Sequence, residues 1–246
     1  MSHRLARRAL ERQLEYQQKK AVAIAGRESD VMAAMKLSSQ RVRSLLEKYQ
    51  TITTDSSVIE VGSGAHGLIF FFGTDRAVGV DPLAVQYRSL FAQWQARVTT
   101  VAALGERLPF NDQSFDIVLC DNVIDHAEDP EGIVSELVRV LRVGGLLYFT
   151  VNFHHAVYSV AARAHSTWNA LGVSYEIGPF ADHTTHLTLS RSKNLFTNLP
   201  VKVLNERSNV SETKARARTM PARHLGDSLK RLFFKNALYE VVARRV

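Results

Sequence analysis

The segment VIEVGSGAHG (Val58–Gly67) runs a short apolar stretch straight into a turn that holds three glycines. A strand ending this way puts its turn at the strand's carboxyl end. There the backbone can bend sharply, and a ligand can approach without meeting a Cβ. In an open α/β sheet this is where ligands bind. A second short apolar stretch, Ala77–Val80, ends at Asp81, whose carboxylate can accept hydrogen bonds from two vicinal hydroxyls of a ribose.

The flanking pattern fits such a sheet. Arg97–Val101 is a third candidate strand, and Phe115–Cys120 and Leu146–Val151 are nearly all apolar, as strands covered on both faces are. Residues 3–25 and 29–49 read as helices. In the second, Val31, Met35, Val42, Leu45, Leu46 and Tyr49 share a face and Ser29 is placed to cap it. Pro130–Val143 is the clearest helix: Asp129 is at the cap, Ile133, Val134, Leu137, Val138 and Leu141 make its apolar face, and Gly144 ends it. Strands alternating with helices predict a parallel sheet with helices on both faces. The late strands Val201–Glu206 and Leu238–Arg244 are expected to finish it with an antiparallel edge. Asn205–Arg223 reads as a long, polar, basic loop, and Leu225–Phe234 as a short helix.

The loop alone leaves two ligands open, because Gly62-x-Gly64-x-x-Gly67 with Asp81 downstream also fits the dinucleotide fingerprint. Glu60, two residues before Gly62, separates them. Together they resemble the (D/E)-x-G-x-G loop of class I S-adenosylmethionine-dependent methyltransferases, in their small-molecule (type 11-like) group. GVDPL (Gly79–Leu83), ERLPF (Glu106–Phe110) with SFD (Ser114–Asp116), DNVIDH (Asp121–His126) and ELVRVLRVGG (Glu136–Gly145) followed by LLYFTV resemble the family's later motifs, in its order, over residues 57–152. The resemblance implies an α/β fold: a Rossmann-like, seven-stranded, mostly parallel sheet with an antiparallel last strand, helices on both faces and a helical N-terminal extension. It implies S-adenosyl-L-methionine as cofactor, bound by Glu60, Gly62, Ser63, Gly64, Asp81, Pro82, Leu83, Gly105, Glu106 and Asp121. It divides the chain into a helical extension, 1–50, and a methyltransferase domain, 51–246, with a cofactor half (57–152) and a substrate-side half (153–246).

Two positions depart from the family's pattern. His66 stands where a third glycine is usual, and the stretch from there to Asp81 is short, so a stunted first helix is expected. Leu104 stands where the family often has an acid for the adenine amino group. That contact is left to backbone near Gly105 and Glu106 and to packing by Leu83.

Methyl transfer asks mainly for positioning, and an oxygen or nitrogen acceptor also needs a base. The candidates are His126, which the resemblance sets beside the cofactor, and His183 and His186, in the segment leading to strand six. Asp125, His154, His155 and Tyr158 lie in the same regions. No metal is expected: His183-x-x-His186 lacks a full ligand set, and Cys120 is the single cysteine. That cysteine count suits a reducing compartment.

Charge is unevenly placed. Residues 1–50 carry 11 Lys/Arg against 5 Asp/Glu, residues 189–246 carry 13 against 4, and the middle carries 7 against 15. Basic ends around an acidic middle suit an anionic partner, or simply a solvated surface. No apolar run is long enough to span a bilayer, and Met1–Lys20 lacks the apolar middle of a secretory signal, so a cytoplasmic enzyme is expected. The expected reaction is methyl transfer to an oxygen or nitrogen of a small molecule: a sugar, lipid or natural-product intermediate. The alternative is a nucleic-acid methyltransferase or binding protein that uses the basic ends.

Overall fold

The strands are β1 (Ser57–Val61), β2 (Arg76–Val80), β3 (Thr99–Val101), β4 (Phe115–Asp121), β5 (Leu141–Phe153), β6 (Val201–Ser208) and β7 (Ala237–Arg245). The helices are α1 (Ser2–Ile24), α2 (Glu28–Leu46), α3 (Ala84–Leu90), α4 (Ala92–Gln95), α5 (Pro130–Val140), α6 (Leu189–Asn194) and α7 (Val210–Thr219). They come from a computed structural model that describes residues 2–124, 127, 129–155, 157, 187–219 and 236–246.

The strands form one sheet in the order β3-β2-β1-β4-β5-β7-β6. Neighbours from β3 to β5 pair in parallel, and β7 pairs antiparallel with both β5 and β6. The expected Rossmann-like sheet with an antiparallel last strand is therefore present, but its edge differs from expectation. The antiparallel strand is interior, and the edge strand β6 runs the same way as β1–β5. Composition explains the placement. β7 buries Ala237, Tyr239, Val241, Val242 and Ala243, whereas β6 (VKVLNERS) is mostly exposed. Charged residues suit an edge because they discourage pairing with another chain.

Alternate residues of the strands feed two cores. One face sends Ile59, Val61, Val118, Cys120, Leu147 and Phe149 against the apolar stripe of α5. The other sends Val58, Ile117, Leu119, Leu146 and Tyr148 against α2, α3 and α4.

The first βα crossover lacks a full helix. Between Gly67 and Gly73 every residue is apolar, so no polar face exists for a surface helix. Only a four-residue 3-10 turn, Leu68–Phe71, forms there. Helix α2 covers it. Met35, Ser39, Val42 and Leu46 recur at helical spacing and are buried. The Ser39 hydroxyl donates to the Leu68 carbonyl (2.8 Å), and the Arg43 guanidinium donates to the carbonyls of Phe72 (2.8 Å), Gly73 (3.0 Å) and Ile52 (2.8 Å). A helix that precedes β1 in sequence thus occupies the place of the helix that normally follows it.

Other boundaries move. α2 starts at Glu28, so Ser29 lies in its first turn and does not cap it. α5 is capped by Asp129, which accepts from the Gly132 N–H (2.9 Å), but it stops at Val140. Leu141 enters β5 at once, pairing with Phe115. Strand three is confined to Thr99–Val101. Residues 205–219, expected as loop, instead continue β6 to Ser208 and form α7. Leu225–Phe234 lies outside the described residues.

Candidate functional site

The cofactor-loop residues converge at the carboxyl ends of β1 and β2. The N–H groups of Gly62 and Ser63 both donate to the Val80 carbonyl (2.8 and 3.0 Å), which folds the loop over β2. Gly62 has φ +74°, and a Cβ there would strike the Val123 side chain. Gly64 has φ +53°, but a Cβ on it would enter open space, with Gly62 O the nearest atom at 3.9 Å. The two glycines therefore do different jobs: Gly62 makes room for protein, and Gly64 leaves room for something else.

Asp81 locks the loop to the next element. Its Oδ2 accepts from the Gly64 N–H (3.0 Å) and its Oδ1 from the Leu83 N–H (2.8 Å), at the start of α3. A carboxylate has about four acceptor sites, so two such bonds leave capacity for hydroxyls. Burial raises its pKa. Leu83 is buried against the second core and Pro82 is half-buried.

Glu60 is almost fully buried, and both its oxygens are taken by protein. They accept from the N–H groups of Leu68 (3.1 Å) and Ile69 (2.8 Å), which anchors the 3-10 turn. Gly67 is required by this arrangement, because a Cβ there would meet the Glu60 carboxylate and the Ser63 carbonyl. Burial pushes the Glu60 pKa up to about 8, against the two backbone donors; the charges of Asp121 and Asp81 push the same way.

Asp121, at the end of β4, accepts from the Thr150 hydroxyl (2.5 Å), and burial raises its pKa. On the same face lies a second polar group. Arg41 of α2 donates to Glu240 (2.9 Å) and to the Tyr148 hydroxyl (2.8 Å), and that hydroxyl donates to Glu240 (3.1 Å). Arg41 and Glu240, with Arg207, Asn209 and Leu238, line a pocket of about 190 Å³. The register Asp121↔Thr150↔Glu240 sets Asp121 of β4 and Glu240 of β7 at one level, with β5 between them.

Gly105 and Glu106 form a half-buried turn after β3, with Leu104 exposed beside it. His126, His183 and His186, with Asp125 and Tyr158, lie outside the described residues. His154 is buried, its N–H donating to the Leu187 carbonyl (2.8 Å). His66 packs between Phe91 and Trp94, with ring centroids 4.9 and 5.3 Å away. Burial, helped by Lys20, lowers its pKa to about 4, which keeps the ring neutral.

Sequence reasoning missed Trp94 and Gln95. The Trp94 indole N–H donates to the Ala65 carbonyl (2.7 Å), and the Gln95 amide donates to those of Gly64 and Ala65 (both 3.1 Å). No motif marks them, since the partners lie about thirty positions away and are backbone atoms.

The loop suits a ligand that is cationic and carries a ribose. Three carboxylates, Glu60, Asp81 and Asp121, face the same side of the sheet. Ser63 Oγ is buried without a partner, and the Gly64 position opens outward. Residues 59–149 match the family model described as a methyltransferase domain. An uncharacterized methyltransferase of Mycobacterium sp. (strain KMS) is 33% identical over 144 residues, which cover 56% of this chain and 47% of that protein. The ubiquinone biosynthesis O-methyltransferase of Pseudomonas putida (strain F1) is 33% identical over 88 residues, 34% of this chain and 37% of that one. The chain thus spans about half the length, or less, of these curated relatives. In fold it is similar to the geranyl diphosphate C-methyltransferase of Streptomyces coelicolor A3(2), solved with S-adenosyl-L-homocysteine, at a TM-score of 0.57 and 15% identity over 84% of this chain and 77% of that one.

Proposed function

We propose that this chain, whose residues 59–149 match the family model described as a methyltransferase domain, is a class I S-adenosylmethionine-dependent enzyme that methylates an oxygen or nitrogen of a small molecule. The observation that carries the proposal is the locked loop: the Gly64 N–H held by Asp81, beside a glycine whose Cβ position is open. When bound, S-adenosyl-L-methionine supplies a methyl group already activated on a sulfonium.

The chain's own residues bind, orient and exclude water. The Asp81 carboxylate takes the ribose hydroxyls with its free lone pairs. Gly62, Ser63 and Gly64 would give the amino-acid end a backbone surface. Pro82, Leu83, Gly105 and Glu106 would hold the adenine. Glu60 acts from behind, by fixing the turn; burial keeps its carboxyl largely protonated near neutral pH until a cation is placed beside it. Asp121 faces the methyl-transfer region, and an acceptor approaching across the ends of β4, β5 and β7 would meet it first. His126, His183 and His186 are the proposed bases for the acceptor proton.

The acceptor class, a sugar, lipid or natural-product intermediate, rests on the resemblance to small-molecule methyltransferases; the small pocket lined by Arg41, Arg207, Asn209 and Glu240 lies on the same face of the sheet as Asp121, one strand removed from it. An anionic partner is a second reading, favoured by α7, whose Arg216 and Arg218 are exposed. Among the described residues no helix is long and apolar enough to cross a membrane, and a single, buried cysteine, Cys120, suits a reducing, cytoplasmic setting.

Calorimetric titration tests the proposal. S-adenosyl-L-methionine and S-adenosyl-L-homocysteine should bind with one site each, and Asp81→Ala should abolish both. A folded wild-type chain that binds neither overturns it.

A further inference from the structure

In a doubly wound domain a full helix follows the glycine loop and fixes it against the sheet. This chain has only a four-residue 3-10 turn there. The loop's carbonyls are held instead by α4. Trp94 Nε1 donates to Ala65 O, and Gln95 Nε2 lies 3.1 Å from both Gly64 O and Ala65 O. Both Gln95 partners are carbonyls, so the amide orientation is fixed by chemistry: only its nitrogen can face them.

Gln95 is 1% exposed and its Oε1 is buried with no hydrogen-bond partner. An amide kept in a core with one end unsatisfied is costly compared with an apolar residue of the same shape. The two bonds to the loop are what it gains in return. Those bonds act on the residue that matters most, because Gly64 carries both the N–H held by Asp81 and the open Cβ position. Gly64 is thus held from two sides, its N–H by β2 and its carbonyl by α4.

We infer that Gln95 is a positioning residue for the cofactor loop, and that with Trp94 it replaces the missing first helix in setting the loop's pose for the cofactor. The inference rests on the cofactor reading above. Gln95 touches no reacting atom; it acts through Gly64 and Ala65.

The test is Gln95→Met, which keeps the volume and removes the donor, read by calorimetry with S-adenosyl-L-homocysteine and by hydrogen exchange of the loop amides. Losing two hydrogen bonds that hold the loop should weaken binding about tenfold. Exchange at residues 62–67 should speed up, while the melting temperature should hold or rise because an unsatisfied oxygen is removed. Gln95→Leu, which has no polar atom, should weaken binding at least as much. Trp94→Phe should weaken binding less, and the double variant should be non-additive. A Gln95→Met chain that melts like wild type and binds within twofold of it overturns the inference alone. A lowered melting temperature with unchanged affinity also overturns it, since that marks a purely structural residue. A wild-type chain that binds neither cofactor nor product overturns the cofactor reading, and this inference with it.

Discussion

At the scale of single residues, Gly62 and Gly64 separate folding from binding. A Cβ at Gly62 meets Val123, and one at Gly64 meets nothing within 3.9 Å. Both have positive φ, so each alanine variant carries a backbone cost of roughly 1 kcal/mol. Gly62→Ala adds a steric clash and should lose about 2–4 kcal/mol in denaturant unfolding. Gly64→Ala should lose only that backbone cost of roughly 1 kcal/mol in unfolding yet lose most of its affinity in a titration with S-adenosyl-L-homocysteine. Equal stability losses would show that the open side of Gly64 has no ligand role.

Glu60 makes a pH prediction. Its pKa is raised by burial to about 8, so the folded chain holds a proton that the unfolded chain releases in the ordinary carboxyl range. The sign follows: this contribution to stability is full below about pH 4.5 and is lost as pH rises toward about 8. The melting temperature of the ligand-free chain should decline across that window, and the decline should be shallower in Glu60→Gln. A cation placed nearby favours the carboxylate, so binding S-adenosyl-L-methionine near neutral pH should release protons. Calorimetry in two buffers of different ionisation enthalpy measures this, and the neutral thioether product should release fewer.

Among the elements, α2 carries the clearest prediction. It buries Val42 and Leu46 completely and bonds three carbonyls around the 3-10 turn. Removing residues 1–26 leaves α2 in place and should preserve cooperative unfolding. Removing residues 1–50 exposes Leu68, Phe70 and Phe72 and should give an insoluble or non-cooperative chain by calorimetric scanning. Comparable behaviour of the two deletions would show that α2 is an appendage.

Elements with an apolar stripe or a cap were legible from sequence. α2 shows its stripe, and α5 announces its start with Asp129-Pro130. α7 was read as loop because SETKARART offers no apolar periodicity. It begins where Asn209 bonds the Leu238 N–H (2.7 Å) and the Thr213 N–H reaches back to Asn209 O (2.9 Å), a tertiary arrangement that periodicity does not carry. The site divided in the same way. Loop glycines and strand-end acids have fixed local spacing that the sequence displays, while Trp94 and Gln95 act through contacts far along the chain that it does not. Glu60 stands out in the sequence as an acid of the loop, and in the structure both its oxygens are engaged with the turn.

For the whole molecule, the order of assembly matters more than any one contact. β7 lies between β5 and β6, and Arg245 donates to the carbonyls of Val138 (2.8 Å), Arg139 (3.0 Å) and Leu141 (2.5 Å), at the seam between α5 and β5. The sheet cannot close until residues 237–245 are inserted. Removing residues 237–246 should therefore abolish the cooperative transition altogether, even though the cofactor loop lies far away in sequence. A truncated chain that still binds S-adenosyl-L-homocysteine would show that the cofactor half folds by itself.

The displaced cover has a further meaning during synthesis. In most doubly wound domains a growing chain releases the first strand and loop before the helix that shields them. Here the shield leaves the ribosome first. α2 has emerged before β1, and its apolar stripe stays unmatched until Phe70 and Phe72 follow. The nascent protein exposes a soluble amphipathic helix early, and its run of three phenylalanines meets a partner as soon as it appears, which shortens the interval in which that run can aggregate.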